Sequence, residues 1–276
     1  MTTSEEPIRI GLALGGGAVR GTAHIGVLEV LEKAGMEPAV VTGTSAGALV
    51  GALYAAGSTA AEISAQAHSL RWAKLVRPAR TRKALFDTRL FGTFLDELLG
   101  GRDFAELERP FAAVACDLIT GERVVMRDGR VSTAVLASAA IPGVFPPVVR
   151  DDRMLVDGGL VDMVPAHLAR ELGADIVVAV DVSGPLPRRP PTTLVHVMVA
   201  VSALQPGGLH RLAEDADLVL SPEVDGYAFW ELSRITEFED AGRSATEQAL
   251  PLLTALTTTA AARREWERLQ PGGSHA

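Results

Sequence analysis

The stretch that most constrains the fold is residues 39–57, where a serine lies between a strand-like run and a helix-like run. Residues 40–42 (Val-Val-Thr) are β-branched and predict a short buried strand. The chain continues into residues 43–47 (Gly-Thr-Ser-Ala-Gly) and then into an Ala/Leu-rich segment that stops at Gly57. Strand, tight turn and helix in this order are the context of a Gly-x-Ser-x-Gly nucleophile elbow.

Ser45, at the centre of this motif, is therefore predicted to be a nucleophile. The turn holds the serine in a strained conformation, and only small residues such as Gly43 and Gly47 let the flanking backbone pass so close. The helix N-terminus behind the serine favours negative charge that develops nearby. Five residues match often by chance, so a plain strand-to-helix turn is the alternative at this point.

A similar unit precedes the serine motif. Residues 8–14 are mostly apolar and predict a first strand, residues 15–21 read Gly-Gly-Gly-Ala-Val-Arg-Gly, and a helix pattern then stops at Gly35. Two strand–loop–helix units in succession favour a parallel sheet covered by helices. We therefore predict an α/β fold, a three-layer α/β/α arrangement with a mostly parallel central sheet.

The chain shows no internal repeat and no linker that marks a domain boundary, so one domain over residues 8–269 is the simplest prediction. Residues 241–269 are rich in Ala, Leu and Thr and predict C-terminal helices around a bend at Pro251. Hydrophobic residues make up 47% of the 276 positions, enough for a substantial core. The net charge of −8 argues against general nucleic-acid binding.

The cellular location is predicted to be cytoplasmic. A single cysteine, Cys116, rules out an internal disulfide framework and fits a reducing compartment. The start of the chain is acidic and polar, unlike a secretory signal. Apolar stretches are interrupted well before 18 residues, so no spanning helix is expected and any membrane contact is expected to be peripheral.

The glycine loop at residues 15–21 has two interpretations, which both depend on backbone amides at a helix N-terminus. A dinucleotide site fits badly, because the G-x-G-x-x-G fingerprint counted from Gly15 places Arg20 where a glycine is needed. The other interpretation is an oxyanion hole, in which the amides of Gly16, Gly17 and Ala18 bind a tetrahedral intermediate. Ser45 in the next unit favours the oxyanion hole over a dinucleotide site and over a purely structural turn.

A basic segment lies at residues 71–86. Six Arg or Lys residues fall between positions 71 and 83 with no acidic residue among them, and apolar residues interleave. On an acidic protein, such a segment is suited to contact anionic lipid or to form a flap over the site. A solvated connecting helix is the plainer alternative.

A serine nucleophile needs a proton acceptor. None of the histidines has the expected context of a loop at the C-terminal end of a strand; they are His24, His68, His167, His196, His210 and His275. Asp157 has that context, because it ends a strand-like run and precedes two glycines that let another backbone approach. Taken alone, an aspartate before two glycines is more often a turn residue. The neighbouring Asp151, Asp152 and Asp162 serve as controls.

Residues 15–21, residues 43–47 and Asp157-Gly158-Gly159 together resemble the motifs of the patatin-like phospholipase family, particularly its bacterial members. Residues 23–28 (Ala-His-Ile-Gly-Val-Leu) and 138–143 (Ser-Ala-Ala-Ile-Pro-Gly) are similar as well. The likeness covers about residues 8–185, with the three motifs in the right order.

The resemblance implies a Ser–Asp dyad without a histidine. Ser45 would attack an ester carbonyl, Asp157 would take its proton, and the glycine-loop amides would hold the oxyanion before water releases the acyl group. Arg20 would orient the loop backbone without a chemical role. Two departures are Ala18, where many members carry glycine, and Asp157-Gly158-Gly159, where others have Asp-Gly-Ala.

The function that the resemblance implies is a serine esterase or phospholipase acting on phospholipids, lysophospholipids or other acyl esters. An acyltransferase with the same dyad and a non-catalytic lipid-binding or regulatory protein are the alternatives, with a nucleotide-binding protein third. No cofactor is expected. No metal is expected either, because no cluster of Asp, Glu, His or Cys has ligand spacing. The expected partner is a lipid or acyl ester, not nucleic acid, and the oligomeric state is not predicted.

Overall fold

The computed structural model describes residues 7–71, 75, 77–80, 82–184, 192–202, 212, 214–224 and 232–269. The strands are β1 (Ile10–Leu14), β2 (Val40–Thr44), β3 (Arg77–Pro78), β4 (Phe86–Asp87), β5 (Phe111–Asp117), β6 (Arg123–Met126), β7 (Val148–Arg150), β8 (Arg153–Asp157), β9 (Ile176–Val180) and β10 (Leu218–Leu220). The helices are α1 (Ala23–Lys33), α2 (Ala46–Ala55), α3 (Ala60–Ser69), α4 (Arg89–Leu98), α5 (Val131–Ser138), α6 (Ala166–Glu171), α7 (Leu194–Ser202) and α8 (Ile235–Leu269).

The main sheet has the strand order β10-β9-β1-β2-β5-β8-β7, and β6 pairs with β5. The pairs from β10 to β5 are parallel, whereas β6, β7 and β8 pair in antiparallel fashion. The predicted fold class, a mostly parallel sheet flanked by helices, is therefore confirmed.

Both faces of the central strands are buried, as expected for a parallel sheet between helices. Along β1, Leu12 and Leu14 belong to the main hydrophobic core together with residues of α1 and α2. Ala13 belongs to a smaller core on the other face, with Ala166 and Ala169 of α6. Helices thus cover the sheet from both sides.

The C-terminal segment differs from the prediction, because a single helix, α8, runs from Ile235 to Leu269 with Pro251 inside it. It crosses α1 at very short range. A Cβ at Gly26 would lie 1.9 Å from the carbonyl oxygen of Glu239, and one at Gly242 would lie 1.9 Å from that of Ala23. The close contact that these glycines allow holds α8 against the core.

Part of the basic segment differs from the connecting-helix alternative, although Leu75 is helical. β3 and β4 form a separate antiparallel pair, with Arg77 opposite Asp87 and Pro78 opposite Phe86. Residues 72–74, 76 and 81 of this segment lie outside the described residues. Among the residues that are described, no helix combines the length and apolarity needed to cross a membrane.

Candidate active site

Ser45 is the single residue between β2 and α2, and it has a positive φ of 54°. Two glycines make this turn possible. A Cβ at Gly47 would lie 2.1 Å from the carbonyl oxygen of Leu14, and a Cβ at Gly43 would lie 2.5 Å from that of Gly47. Such contacts with backbone atoms are too short to exist, so both positions require glycine for reasons of space.

The sheet register brings Asp157 to this serine. Thr44, the last residue of β2, lies opposite Val114, and Asp157, the last residue of β8, lies opposite Ala115. The other edge of β5 at both positions is occupied by β6. β2 and β8 therefore share one edge of β5 and meet with their C-terminal ends. As a result, the Ser45 hydroxyl donates a 2.7 Å hydrogen bond to Oδ2 of Asp157.

The carboxyl group of Asp157 is buried, with 4% of the residue exposed. Its Oδ1 accepts a 2.8 Å hydrogen bond from the amide of Gly159, and its own amide donates to the carbonyl of Ala140. Burial raises the pKa of Asp157 to about 6, although the hydrogen bonds from Ser45 and Gly159 act in the opposite direction. The group is therefore ionised at neutral pH yet more basic than an ordinary aspartate.

The backbone of Ser45 is held by a residue whose role the sequence analysis missed. The Ser45 amide donates a 2.9 Å hydrogen bond to Oγ of Ser138, at the end of α5. The Ser138 hydroxyl in turn donates to the carbonyl of Val114. Ser138 had been noted only as part of a stretch similar to the family, and no local pattern links positions 45 and 138.

The glycine loop lies beside the serine, but one of its amides is already engaged. Gly16 donates its N–H to the carbonyl of Met163 at 3.0 Å, so this amide is not free to bind an oxyanion. This corrects the prediction of three donors. Gly16 instead lines the site, because a Cβ there would lie 3.4 Å from Cβ of Ser45.

Gly17 and Ala18 are the two predicted donors that remain. They lie at the start of a 3₁₀ helix, Ala18–Thr22, where the first amides have no partner within the helix. Within the described part of the chain, neither amide donates to a protein acceptor. Ala18 has a φ of 49°, in the left-handed region that favours glycine.

Two buried side chains hold the glycine loop from behind. Arg20 is fully buried and donates from Nη1 to the carbonyl of Ser183. His24 is also fully buried, with Nε2 2.7 Å from the carbonyl oxygen of Gly15. Burial lowers the pKa of His24 to about 4, so the ring is neutral at pH 7 and Nε2–H is the donor. His24 thus contacts the loop and not Ser45.

The other candidate bases lie elsewhere. His68 contacts Glu239 at 3.2 Å, and His167 lies 3.8 Å from Asp162. In the residues described, no histidine hydrogen-bonds to Ser45; His210 and His275 lie outside them. Of the control carboxylates, Asp151 and Asp152 are exposed, and Asp162 pairs with Arg123. Over the same described ranges, no group of His, Cys, Asp and Glu is arranged to hold a metal ion.

Comparison with known proteins gives the same family that the motifs suggest. The family model described as patatin-like phospholipase matches residues 12–170. An uncharacterized NTE family protein of Mycobacterium tuberculosis is 35% identical over 179 residues, covering 64% of this chain and 49% of that protein. Human patatin-like phospholipase domain-containing protein 6 is 34% identical over 183 residues, covering 63% of this chain and 13% of that protein.

A longer alignment exists with a second uncharacterized NTE family protein, from Mycobacterium bovis. It is 32% identical over 254 residues, which cover 90% of this chain and 41% of that protein. The chain thus spans about half, or less, of the length of these curated relatives. Among solved structures, VipD from Legionella pneumophila superposes with a TM-score of 0.64 at 13% identity, covering 91% of this chain and 67% of that one. This likeness supports the fold alone.

Proposed function

Because this chain belongs to the patatin-like phospholipase family, we propose that it is a serine lipid acyl hydrolase with a Ser45–Asp157 dyad. The proposed substrates are carboxylic esters of phospholipids, lysophospholipids or other acyl esters. The observation that carries the proposal is the 2.7 Å hydrogen bond from the Ser45 hydroxyl to a buried carboxylate of raised pKa. A serine with a strained backbone whose hydroxyl donates to a base is the arrangement that nucleophilic catalysis needs.

In the acylation step, Ser45 Oγ attacks the ester carbonyl carbon while its proton passes to Oδ2 of Asp157. The carbonyl π electrons move to oxygen, and we propose that the amides of Gly17 and Ala18 stabilise that oxyanion. When the intermediate collapses, the C–O bond to the alcohol breaks, and the alcohol leaves with the proton from Asp157. The product is an ester between the acyl group and Ser45.

Deacylation repeats the sequence with water. Asp157 takes a proton from a water molecule while the water oxygen attacks the acyl carbon. The bond between the acyl carbon and Ser45 Oγ then breaks, and Oγ recovers the proton from Asp157 as the free acid is released. A pKa of about 6 suits this work, because the base is ionised at pH 7 while remaining a better proton acceptor than an ordinary aspartate. Arg20 and His24 act by holding the glycine loop in place.

Acyl transfer to an alcohol other than water is the nearest alternative, since it uses the same acyl-Ser45 intermediate. A non-catalytic lipid-binding or regulatory protein is the alternative of another class. The positive φ of Ser45 argues against it, because strained backbone of this kind is usually retained where chemistry requires it. A cytoplasmic location and peripheral membrane contact through residues 71–86 remain predictions that accompany this proposal.

The test is hydrolysis of p-nitrophenyl butyrate by the wild type and by Ser45→Ala and Asp157→Asn. We expect both variants to lose about 10³-fold or more in kcat. Ser132→Ala and Asp152→Asn are the matched controls, because Ser132 bonds to Asp96 and Asp152 is exposed. A fluorophosphonate probe is expected to label Ser45, as located by mass spectrometry of the peptides.

Wild-type turnover in either dyad variant, or labelling of another serine, would overturn the assignment. The hydrolase and transferase alternatives are separated by adding an alcohol acceptor such as glycerol. An acylated acceptor formed in preference to free acid would identify a transferase.

A further inference from the structure

Helix α7 presents an apolar stripe to solvent. It contains no Asp, Glu, Lys or Arg, and Leu194, Val197 and Val201 are 58%, 42% and 56% exposed. Their spacing of three and then four residues places them on one side of the helix. Exposing an apolar helix side of this kind to water is unfavourable unless something apolar covers it.

The flank of α7 beside this stripe contacts a loop that also holds the β3–β4 hairpin. Met198 packs on Gly143, where an added Cβ would lie 2.6 Å from the methionine Cε. The carbonyl of Gly143 accepts a 2.9 Å hydrogen bond from the amide of Leu85, and that of Val144 accepts one from Phe86. The helix and the hairpin are therefore neighbours across residues 141–145.

This loop directly adjoins the dyad. It follows α5, whose Ser138 binds the Ser45 amide, and Ala140 accepts the hydrogen bond from the Asp157 amide. Leu160, three residues beyond Asp157, is another exposed apolar side chain. The α7 stripe and the hairpin are thus connected to both dyad residues through residues 138–145.

The hairpin adds positive charge to this apolar surface. Arg80 and Arg82 are exposed, and residues 71–83 contain six basic and no acidic residues. The nearest carboxylate along the chain, Asp87, bonds to Arg89, and Arg80 also lies close enough to help lower the pKa of Asp87. Because the whole chain carries a net charge of −8, this is a local concentration of cations on an acidic protein.

We propose that the α7 stripe (Leu194, Val197 and Val201) and the hairpin arginines (Arg80 and Arg82) form one docking face for an anionic lipid bilayer. The valines and leucine enter the boundary between head groups and acyl chains, and the arginines contact anionic head groups. A second copy of the chain fits this face less well, because it would bring its own Arg80 and Arg82 against those of the first copy. The proposal rests on the proposed function, since it states how the site meets its substrate.

The experiment measures flotation of the full chain, carrying Ser45→Ala, with vesicles of phosphatidylcholine alone or mixed with phosphatidylglycerol. We expect binding to the anionic vesicles that weakens as salt is raised. Arg80→Gln and Arg82→Gln are each expected to weaken it about fivefold, and about 25-fold together. Val197→Asn with Val201→Asn is expected to weaken it by roughly tenfold or more.

Two control variants test whether the effect belongs to this face. Lys33 has a side chain that is 75% exposed at the end of α1. Because β1 and β2 are parallel neighbours, α1 must return the chain to the end of the sheet where the parallel strands begin, and Ser45 lies at the other end. Leu252 is 53% exposed on α8, which packs against α1. Lys33→Gln and Leu252→Asn are expected to bind anionic vesicles as tightly as their parent.

Three results would overturn the docking face: no binding to anionic vesicles, losses in the face variants no larger than in the controls, or a concentration-dependent dimer in sedimentation velocity that the α7 variants abolish. The last result would assign the stripe to self-association. Flotation uses an inactive variant and ester hydrolysis uses the wild type without vesicles. A failure of the docking face is therefore distinct from a failure of the dyad.

Discussion

The first two strand–loop–helix units have the same topology but very different connections. β1 and β2 lie side by side in parallel, with Leu14 opposite Gly43. Eight residues, 15–22, separate β1 from α1, whereas Ser45 alone separates β2 from α2. The long connection has room to present backbone amides, and the one-residue connection forces its side chain out of the chain path. Connection length thus decides which unit supplies electrostatic groups and which supplies the nucleophile.

The two units also differ in how they are supported. The glycine loop has a local support in His24, nine residues from its bonding partner Gly15, and a distant one in Arg20, which reaches Ser183, 163 positions away. The elbow depends on distant segments, since Ser45 bonds to Ser138 and Asp157, 93 and 112 positions away. Both units therefore depend on distant segments, but only in the elbow do those segments bond to the proposed nucleophile itself.

Gly47→Ala is expected to have the largest effect, because it breaks the contact between the two units. The added carbon would lie 2.1 Å from the Leu14 carbonyl oxygen, so backbone must move by a substantial fraction of an ångström. A misplacement of about 1 Å at a reacting group costs on the order of 10²-fold in rate. We expect at least that loss in kcat/KM for p-nitrophenyl butyrate, together with a lower Tm.

Gly51→Ala is the control in the same helix. Its added carbon would meet the side chains of Val41 and Phe111, at 2.9 and 3.2 Å, which are able to shift. We expect this variant to fold and to keep most of its activity. Equal losses in the two variants would mean that crowding around α2 in general, and not the approach to β1, limits the elbow.

Ser138→Ala tests the dependence of the elbow on a distant segment. The change leaves the buried Ser45 amide without its acceptor, which costs about 1–3 kcal/mol in the free energy of unfolding. We expect kcat to fall by roughly 10- to 100-fold with little change in KM, and labelling of Ser45 by fluorophosphonate to slow by a similar factor.

Ser132→Ala is the matched control, because Ser132 lies in the same helix and bonds to Asp96 at 2.7 Å. It is expected to change stability without slowing the labelling of Ser45. If both alanine variants slow labelling equally, Ser138 acts only through the stability of α5.

The pH dependence of activity follows from Asp157. With its pKa raised to about 6 by burial, the base becomes protonated as pH falls below 6. We expect kcat/KM for a soluble ester to decline about tenfold per pH unit there. A profile that stays flat down to pH 4 would contradict a catalytic role for this carboxylate.

The raised pKa of Asp157 also makes stability depend on pH, in the direction opposite to the lowered pKa of His24. The folded pKa of Asp157 lies above the ordinary value of 3.8, so ionisation opposes folding above pH 6 and is without effect below about 4. For His24, whose pKa is lowered to about 4, stability is retained above 6.5 and lost as pH falls toward 4.

Asp157→Asn isolates the contribution of Asp157 to the pH dependence of stability. Relative to this variant, the wild type is expected to lose on the order of 1–3 kcal/mol of stability as pH rises from about 4 to about 6. Urea unfolding over that range measures the difference. A gain in relative stability with rising pH would show that attraction to nearby groups outweighs burial of the carboxylate.

Local patterns predicted both units, because strand, turn and helix within each depend on residues close in sequence. They failed where partners are distant. Nothing near Gly16 indicates that its amide binds the carbonyl of Met163, and nothing near Pro251 indicates that α8 continues through it. A proline inside a helix costs about 3 kcal/mol. Tertiary packing is able to outweigh such a preference, and α8 does pack closely, through Gly242 against Ala23.

Ala18→Gly is expected to have the smallest effect and to separate the strain in the two units. Ala18 and Ser45 both have positive φ, but only at position 45 does the side chain carry the proposed chemistry. Glycine at 18 removes a penalty of about 1–2 kcal/mol and adds chain entropy of about 0.5–1 kcal/mol to the unfolded state. We therefore expect a net gain of up to about 1 kcal/mol in the free energy of unfolding, measured in urea.

Ala65→Gly, at an exposed position inside α3, is the control and is expected to lose about 1 kcal/mol in the free energy of unfolding. Equal losses in both variants would mean that the glycine loop, unlike the elbow, holds its positive φ without strain.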